Sequence, residues 1–292
     1  MSRPTLYLVS TPIGNLSDFS SHAQSVLSQV DFILCEDTRH SLKLLNHFGI
    51  KSHLESLHLH NEQGRAHAIV EKILHSKNQC AALISDAGTP AICDPGSYLV
   101  AAAHEQGVQV IVVPGPSSFP SAIAASGFIQ PRTIFSGFLS KSSKDQFSEF
   151  KLWVAASPCL AVFFESPKRL KQSLENLSKF FSENKDKYEL NSLEVCVSRE
   201  ISKKFEEHRR GTLASLLTEY DSVENLQGEF VVCVNLNKVE DQQNKVTLEF
   251  AANEACLYSQ VHQVPLKKSC KEIAEKYGFS SKEIYGIASK KA

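Results

Sequence analysis

The stretch that decides the fold is CAALISDAGTPAICDPG, residues 80–96, in which an apolar run leads directly into a loop of small and turn-forming residues. The run over residues 80–84 carries no charge, which is typical of a strand inside a parallel sheet. The loop that follows holds two glycines, two prolines and the aspartates Asp86 and Asp94. Ligands of open α/β sheets bind beyond the carboxyl ends of the strands, so we expect chemistry at this loop.

The same arrangement recurs on both sides of this stretch. Apolar runs alternate with amphipathic stretches through residues 1–116, and this alternation predicts a parallel α/β sheet. The predicted strands cover 5–10, 30–37, 80–86 and 108–115, and the predicted helices cover 20–29, 40–48, 62–75 and 97–106. Three further loops fall at the same predicted edge: STPIGNLSD (10–18), EDTRH (36–40) and PGPSS (114–118).

After residue 116 the pattern changes to that of a second α/β or α+β domain. Its predicted strands are 133–138, 159–166, 193–200 and 229–236, with helices near 143–156, 167–181 and 212–220. Residues 236–246 are polar and read as a linker, and two short helices follow around Gly278, with Ser280 or Ser281 as an N-cap. We therefore predict domains over 1–116, 117–238 and 245–292.

Composition places the chain among ordinary globular proteins. Its 292 residues predict more than one domain, and 42% hydrophobic with 22% charged residues exclude a disordered chain. No run of 18 apolar residues exists and the first residues do not resemble a signal peptide. We expect a cytoplasmic protein without a membrane partner.

The net charge of −1 conceals an uneven distribution. Residues 262–292 contain seven lysines against three glutamates, a charge of +4 that leaves −5 on the remainder. A basic tail suggests a polyanionic partner, although a solvated lysine-rich helix face gives the same pattern.

Several common signatures are absent. The chain has no GxGxxG, no GxxxxGK[ST], no HExxH and no GxSxG, so the dinucleotide, Walker, zinc-peptidase and α/β-hydrolase classes lose support. Its eight cysteines include no CxxC pair and read as buried reduced thiols. Seven of eleven histidines lie between His40 and His75, and the spacing of His58 and His60 would place both on one face of a strand if one formed there. No carboxylate or cysteine cluster shares metal-ligand spacing with them, so we expect no metal.

Taken together, the motifs resemble one known family along almost the whole chain. They occur in the order TPIGNLSD (11–18), EDTRH (36–40), HNEQ (60–63), SDAGTPAICDPG (85–96), VPGPSS (113–118), FESPKRL (164–170), SREISKKFEE (198–207), RGTL (210–213) and GEFVVCV (228–234). The family is that of ribosomal RNA small-subunit methyltransferase I, the 16S rRNA cytidine 2′-O-methyltransferases of the tetrapyrrole-methylase-like superfamily. The resemblance implies an α/β, two-domain tetrapyrrole-methylase-like (class III) methyltransferase fold with a small C-terminal helical domain, and a homodimer.

The resemblance also implies S-adenosylmethionine as cofactor, bound in the cleft between the two α/β domains. Carried over motif by motif, the cofactor-binding residues are Pro12, Ser85, Asp86, Ala87, Thr89, Asp94, Ser117, Ser118, Phe164 and Glu165. Weaker candidates on the same cleft wall are Arg199, Glu200, Gly228 and Glu229.

Methyl transfer to a ribose hydroxyl needs an aligned acceptor oxygen and a group that removes its proton. The adjacent carboxylates Glu36 and Asp37 are the candidate bases, with Arg39 and His40 holding a phosphate or orienting the carboxylate. The alternative is that Glu36, Asp37 and Arg39 form an ion-pair network that braces the cleft or the dimer. Asn61 and Glu62 are second candidates, and Asn61 is alternatively a helix cap.

The implied substrate is a cytidine ribose in the decoding region of 16S rRNA, as free RNA or within the small ribosomal subunit. Phosphate neutralisation dominates RNA affinity. The candidate RNA-binding residues are Arg39, His40, Asn61, Lys141, Lys144, Lys168, Arg169, Lys267, Lys268 and Lys271. Two alternatives stay open: a tetrapyrrole or other small-molecule methyltransferase of the same fold, and a non-catalytic RNA-binding assembly factor. The lysine-rich tail disfavours the first, and the intact cofactor loops disfavour the second.

Overall fold

The computed structural model describes residues 3–184, 193–223, 225–237 and 248–290. The chain divides into two compact units, Met1–Lys238 and Val239–Ala292. The first unit holds two sheets, and the predicted boundary between residues 116 and 117 stays a prediction. The predicted linker at 236–246 lies outside the described residues from 238 onward.

The first sheet is the predicted parallel α/β sheet. Its strands are β1 (Thr5–Val9), β2 (Phe32–Cys35), β3 (Leu54–Ser56), β4 (Cys80–Ile84) and β5 (Gln109–Val113), and its helices are α1 (Ser21–Gln29), α2 (Thr38–His47), α3 (Glu62–His75) and α4 (Ser97–Glu105). The spatial order is β3-β2-β4-β1-β5, and every neighbouring pair is parallel. Strand β3 was not predicted, because three residues are too short for a recognisable pattern.

Helices cover both faces of this sheet, which explains the uninterrupted apolar strands. Ala81 and Leu83 of β4 pack with α3 and α4, whereas Ala82 and Ile84 pack with α1 and α2. Successive strand residues point to opposite faces, so both sets must be apolar. The carboxyl edge therefore remains as the exposed side where polar loops collect.

The second sheet is mixed. Its strands are β6 (Thr133–Phe138), β7 (Cys159–Glu165), β8 (Glu194–Arg199), β9 (Glu207–Thr212) and β10 (Phe230–Leu236), with helices α5 (Ser118–Ser126), α6 (Ser143–Ala155), α7 (Pro167–Glu183) and α8 (Leu213–Asp221). The order is β6-β7-β10-β8-β9, with β6 and β7 parallel and the other pairs antiparallel. Helices α6, α7 and α8 cover one face around the buried Trp153, and α5 packs on the other.

The second unit is a cluster of helices. The described part contains α9 (Leu248–His262), α10 (Leu266–Tyr277) and α11 (Ser281–Ala288), one helix more than the two predicted. Ala251, Ala255, Ile273 and Ile284 form its core. Helix α10 ends at Gly278 with a left-handed φ of +73°, as the sequence predicts, and Ser280 precedes α11 without a side-chain cap.

Among the described helices, none combines the length and the apolar character that a membrane crossing requires.

Candidate active site

The loops after β1 and β4 are joined at the carboxyl edge of the first sheet. The Thr11 N–H donates to the Gly88 carbonyl at 2.9 Å, and the Gly88 N–H donates to the Thr11 carbonyl at 3.1 Å. The Thr11 hydroxyl donates to the Ser85 carbonyl at 3.1 Å, and the hydroxyls of Ser10 and Thr89 lie 2.9 Å apart. The predicted cofactor residues Ser85 and Thr89 are thereby held in a rigid frame.

Close packing of three loops requires glycine at two positions. Gly88 has φ +83°, and a Cβ there would lie 3.3 Å from Ile13 and 3.6 Å from the Pro116 carbonyl. A Cβ at Gly115 would lie 2.9 Å from the Ser10 Cβ, a distance that real side chains avoid. The PGPSS loop therefore packs against the other two. A side chain at Gly115 would push the loops apart, and one at Gly88 would strain the backbone at its positive φ.

Three carboxyl groups converge at this edge: Glu36 after β2, and Asp86 and Asp94 after β4. Burial, and then repulsion from Glu36, raises the pKa of Asp94 to about 6. Burial and the charge of Asp86 raise the pKa of Glu36. The Asp86 carboxylate accepts the Asp37 N–H at 3.4 Å. Mutual repulsion makes this position favourable for a cationic ligand.

Asp37 and Arg39 form a local ion pair at the start of α2. The Asp37 carboxylate occupies the N-cap and accepts the Arg39 N–H at 2.8 Å, while the guanidinium contacts the same carboxylate at 3.1 and 2.7 Å. These bonds hold the pKa of Asp37 far below its usual range. The Arg39 side chain remains 88% exposed despite this contact, and the neighbouring His40 is also exposed.

The HNEQ segment has a structural task that the sequence did not reveal. Glu62 is 2% exposed, and its carboxylate accepts the N–H groups of Tyr98 at 2.6 Å and Leu99 at 3.4 Å. It thus holds the first turn of α4, where the loop of residues 85–96 ends. Asn61 takes the N-cap position of α3, as predicted, but its side chain makes no capping hydrogen bond to the helix. Its amide bonds His58 instead.

His58 and His60 do not share a strand face. Both follow β3 in a turn, with ring centroids 6.0 Å apart. The pattern misled because β3 ends at Ser56. Within the described ranges, no group of three or more histidine, cysteine, aspartate or glutamate side chains could hold a metal ion.

An aromatic cluster lines the adjoining part of the second sheet. The Phe164 ring lies 5.0 Å from Phe135 and 5.5 Å from the half-exposed Phe138, and Phe119 lies 4.3 Å from Phe135. Phe119 is the second residue of α5 and follows directly after the PGPSS loop, where Ser117 takes the N-cap position. Of these four rings, the sequence predicted only Phe164 as a site residue. The other three were missed because β6 and α5 come together only in the folded chain.

Glu165 and Arg169 bind each other inside the second sheet's domain. The Glu165 side chain is fully buried and accepts the Ser166 N–H at 2.8 Å and the Ser173 hydroxyl at 2.7 Å. Arg169 lies 3.3 Å from it and donates to the carbonyls of Leu139 and Ser140 at 2.7 and 2.9 Å. Both charges are therefore engaged within the protein.

Glu200 and Glu229, two of the weaker cofactor candidates, bind a lysine that contacts the loop after β1. Lys203 lies 3.0 Å from the Glu200 carboxylate and 3.1 Å from that of Glu229. The Lys203 stem packs against Gly14, and the Ser202 hydroxyl donates to Asp18. The two halves of the first unit are thus in direct contact here.

The remaining predicted residues differ in exposure. Pro12 is buried and Ala87 is exposed, while Ser117 and Ser118 are partly buried. Lys141, Lys144 and Lys168 are exposed on the first unit. Lys267, Lys268 and Lys271 are exposed at the start of α10 in the second unit.

Comparison with known proteins identifies the family. The family model of the Tetrapyrrole (Corrin/Porphyrin) Methylases matches residues 5–217. The chain is 36% identical over 290 residues to the Ribosomal RNA small subunit methyltransferase I of Haemophilus influenzae, covering 96% of this chain and 94% of that protein. The chain belongs to the ribosomal RNA small subunit methyltransferase I family. The protein of the same name from Escherichia coli O157:H7 is also 36% identical, over 98% of this chain and 95% of the relative.

Family membership confirms the predicted tetrapyrrole-methylase-like fold and S-adenosylmethionine as methyl donor. A solved diphthine synthase shares the fold of this methyltransferase I homologue, with a TM-score of 0.58. That match covers 80% of this chain and 90% of that one at 13% identity, so it supports the fold alone.

Proposed function

We propose that this chain transfers a methyl group from S-adenosylmethionine to the 2′-hydroxyl of a cytidine in the decoding region of 16S rRNA. The names of its relatives support ribosomal RNA of the small subunit as the substrate class. The observation that carries the proposal is the convergence of Glu36, Asp86 and Asp94 where the loops after β2 and β4 meet. A homodimer in the cytoplasm belongs to the same proposal.

The carboxyl edge fits the cofactor by charge. S-adenosylmethionine supplies an electrophilic methyl group on a positive sulfonium, and it carries a second positive charge on its amino group. Asp86 and Asp94 would bind its cationic or hydroxyl groups, and Gly88 allows the backbone to approach it. Ser85, Thr89 and Ala87 supply the remaining wall of the loop. The proposed pocket is completed by Pro12, Ser117, Ser118, Phe164 and Glu165. Glu165 contributes indirectly, because it binds and positions the residues around it.

Glu36 is the better of the two candidate bases. Its pKa is raised by burial and by Asp86, so the carboxylate binds a proton more readily than a free glutamate. Asp37 is occupied by Arg39 and by the first turn of α2, which lowers its pKa and its basicity. We assign proton abstraction to Glu36. Asp37 instead forms the ion pair that holds Arg39, so the two neighbouring carboxylates have different roles.

RNA binding would use exposed cations. Arg39 and His40 lie at the edge next to Glu36, and Lys168 opens α7 of the second sheet. Lys267, Lys268 and Lys271 add a separate basic patch on α10. Because the proposed acceptor is a 2′-hydroxyl, which DNA lacks, the enzyme would methylate RNA and not DNA.

The deciding experiment is transfer of labelled methyl groups to small ribosomal subunits that lack this modification, followed by nucleoside analysis. Free 16S rRNA and a tetrapyrrole precursor serve as parallel acceptors. We expect label in 2′-O-methylcytidine. Label in the tetrapyrrole, or cofactor binding without transfer to any acceptor, would overturn the proposal in favour of the sister activity or of a non-catalytic assembly factor.

The role of Glu36 has a test of its own. The variant Glu36→Gln should lower kcat by at least about 100-fold while retaining cofactor and RNA affinity, since it removes only the proton acceptor. Glu71→Gln, on the exposed face of α3, is the matched control and should methylate normally. Normal methylation by Glu36→Gln would remove Glu36 from the mechanism.

A further inference from the structure

A groove between α6 and α7, on the helical side of the second sheet, is lined by cations. It has a volume of about 380 Å³, which is within the range of sites that bind small ligands. Lys144, Lys151 and Lys179 line it, and so does Phe147, which lies one turn of α6 from each of the first two lysines. Within the part of the chain that the structure describes, no aspartate or glutamate lines this α6–α7 groove.

The lysines of the α6–α7 groove are available to a ligand. Lys144 and Lys151 are exposed, and their ammonium groups have no ion-pair partner among the described residues. Lys179 lies 3.9 Å from Glu183, but both side chains are more than half exposed, so water screens this pair. Asp145 follows Lys144 in the chain, and its carboxylate accepts a hydroxyl of the preceding loop at 3.1 Å. Three neighbouring cations favour an anion in the groove.

A buried polar network forms the floor of the groove. Asn176 of α7 lines the groove and is only 7% exposed. Its amide nitrogen donates to the Gln146 side-chain oxygen at 2.9 Å and to the Ser143 hydroxyl at 3.2 Å. Gln146 is also buried, and it donates to the Ser140 carbonyl at 2.7 Å. Because buried, satisfied networks are rigid, α6 and α7 present their lysines from fixed positions.

The same network reaches the proposed cofactor pocket. Arg169 donates to the Ser140 carbonyl at 2.9 Å and lies 3.3 Å from the buried carboxylate of Glu165. Strands β6 and β7 are parallel, and α6 and α7 begin after their carboxyl ends. The groove therefore starts at the end of the second sheet where Glu165 lies. A polymer along the groove would run toward the proposed active site.

We propose that the α6–α7 groove binds a single-stranded segment of the RNA substrate, with phosphates on Lys144, Lys151 and Lys179 and a base against Phe147. The inference rests on the proposed RNA methyltransferase function, and of these residues the sequence indicated only Lys144. Phosphates repeated along a chain match lysines on two helices. The aromatic ring favours a single strand, because unstacked bases pack on aromatic side chains whereas a double helix keeps its bases stacked.

The first test locates bound RNA and needs no methyl transfer. The full chain is acetylated with and without a single-stranded fragment of the 16S rRNA decoding region, and mass spectrometry quantifies each modified lysine. With RNA at about ten times its Kd, acetylation of Lys144 and Lys151 should slow about 10-fold. The controls Lys51 and Lys77 are exposed in the loops before β3 and β4, at the amino edge of the first sheet, and should react equally in both samples. Unprotected groove lysines would overturn the inference.

The second test measures affinity by filter binding over a salt series. Lys144→Ala with Lys151→Ala should reduce the slope of log affinity against log salt by about 1.4, since each phosphate contact of a single strand contributes about 0.7. The double Lys→Arg variant at the same positions keeps the charge and should keep the slope. Lys51→Ala with Lys77→Ala is the matched control and should also keep it. S-adenosylmethionine affinity should be the same in all variants. An unchanged slope in the groove variant would overturn the inference.

The third test concerns the ring. Phe147→Leu keeps an apolar side chain against Phe150 and Phe180, whose ring centroids lie 6.1 and 5.7 Å from that of Phe147, but removes the aromatic face. We expect about 10-fold weaker binding of the single strand and unchanged binding of a duplex of the same sequence. Thermal unfolding followed by circular dichroism verifies the fold of the variant. Native affinity for the single strand, or an equal loss for both RNAs, would overturn the base contact.

Failure of this inference is distinguishable from failure of the proposed function. Methylation of the cytidine with native KM by the variant that lacks Lys144 and Lys151 would overturn the groove and leave the methyltransferase function in place. Protection of the groove lysines by RNA, without transfer to any acceptor, would contradict the proposed function and leave the RNA groove supported.

Discussion

The Glu62 carboxylate accepts the Tyr98 N–H at 2.6 Å, joining the start of α3 to the start of α4 across the chain. The donor belongs to the first turn of α4, where unpaired N–H groups and the helix dipole favour an anion. Since α4 begins where the loop of residues 85–96 ends, this bond fixes one end of the candidate cofactor loop. A residue from the HNEQ motif thereby supports the site without touching a ligand.

The variant Glu62→Gln should lower the free energy of unfolding by about 2 kcal/mol, because it removes a buried charge from a helix start and buries an amide N–H₂. Urea denaturation followed by circular dichroism measures the change. Glu71→Gln, later on α3 and exposed, should leave stability nearly unchanged. Equal effects of the two variants would contradict the assigned role of Glu62.

Asp94→Asn should stabilise the protein at neutral pH. The pKa of Asp94 is raised from 3.8 to about 6 in the fold, so the folded state binds this proton more tightly than the unfolded state. Stability from this proton is present at low pH and is lost as pH rises from about 4 through about 6. The variant should gain about 1–3 kcal/mol at pH 7.5, since one pKa unit corresponds to about 1.4 kcal/mol.

Thermal unfolding at pH 7.5 and pH 4 tests this expectation, and the gain should shrink toward the lower pH. Asp221→Asn on the exposed end of α8 serves as control and should give similar small changes at both values. Isothermal titration should reveal weaker S-adenosylmethionine binding by Asp94→Asn. A variant that loses stability at pH 7.5 would contradict the proposed repulsion.

Arg169→Ala and Lys168→Ala should separate structural from RNA-binding cations. Arg169→Ala strips the buried Glu165 carboxylate of its cation and frees two carbonyls, so we expect a loss of about 2–3 kcal/mol. Lys168→Ala should keep stability and weaken RNA binding. Fluorescence of the buried Trp153 reports unfolding. An Arg169→Ala protein of native stability with weakened RNA binding would reverse these assignments.

Replacing Lys267, Lys268 and Lys271 together by alanine should reduce RNA affinity and its dependence on salt. Three lost phosphate contacts correspond to a decrease of about 2 in the slope of log affinity against log salt. Filter binding over a salt series measures it. The triple Lys→Arg variant keeps the charge and should retain the slope, while cofactor affinity should stay constant in both. An unchanged slope in the alanine variant would exclude α10 from RNA contact.

The sequence predicted the buried part of the fold far better than its polar edges. Strand β4 and its apolar neighbours were recognised because both faces pack under helices. Strand β9 (EHRRGT) was missed because its stability comes from pairing, with Arg210 contacting Glu194 across the strands at 3.2 Å. Helix α9 was missed because its pattern of small residues fits several structures until α10 and α11 pack on it.

At the site, the sequence indicated which loops carry chemistry but not what each side chain does. The carboxylates of Glu36 and Asp37 are adjacent in the chain, and only the fold gives them different environments. The capping role of Glu62 depends on a partner 36 residues away. Long-range contacts of this kind have no local pattern, so spacing alone could not reveal them.

The eight cysteines are free thiols, and those that are buried can report local opening of the fold. Burial raises the pKa of the Cys233 thiol to about 12 and also raises that of Cys35 and Cys270, so reaction with thiol reagents must await local opening. Cys35 lies in the core of the first sheet, Cys233 in the second, and Cys270 among the helices of the second unit. The rate at which a reagent labels each of these thiols would measure how often the surrounding core opens.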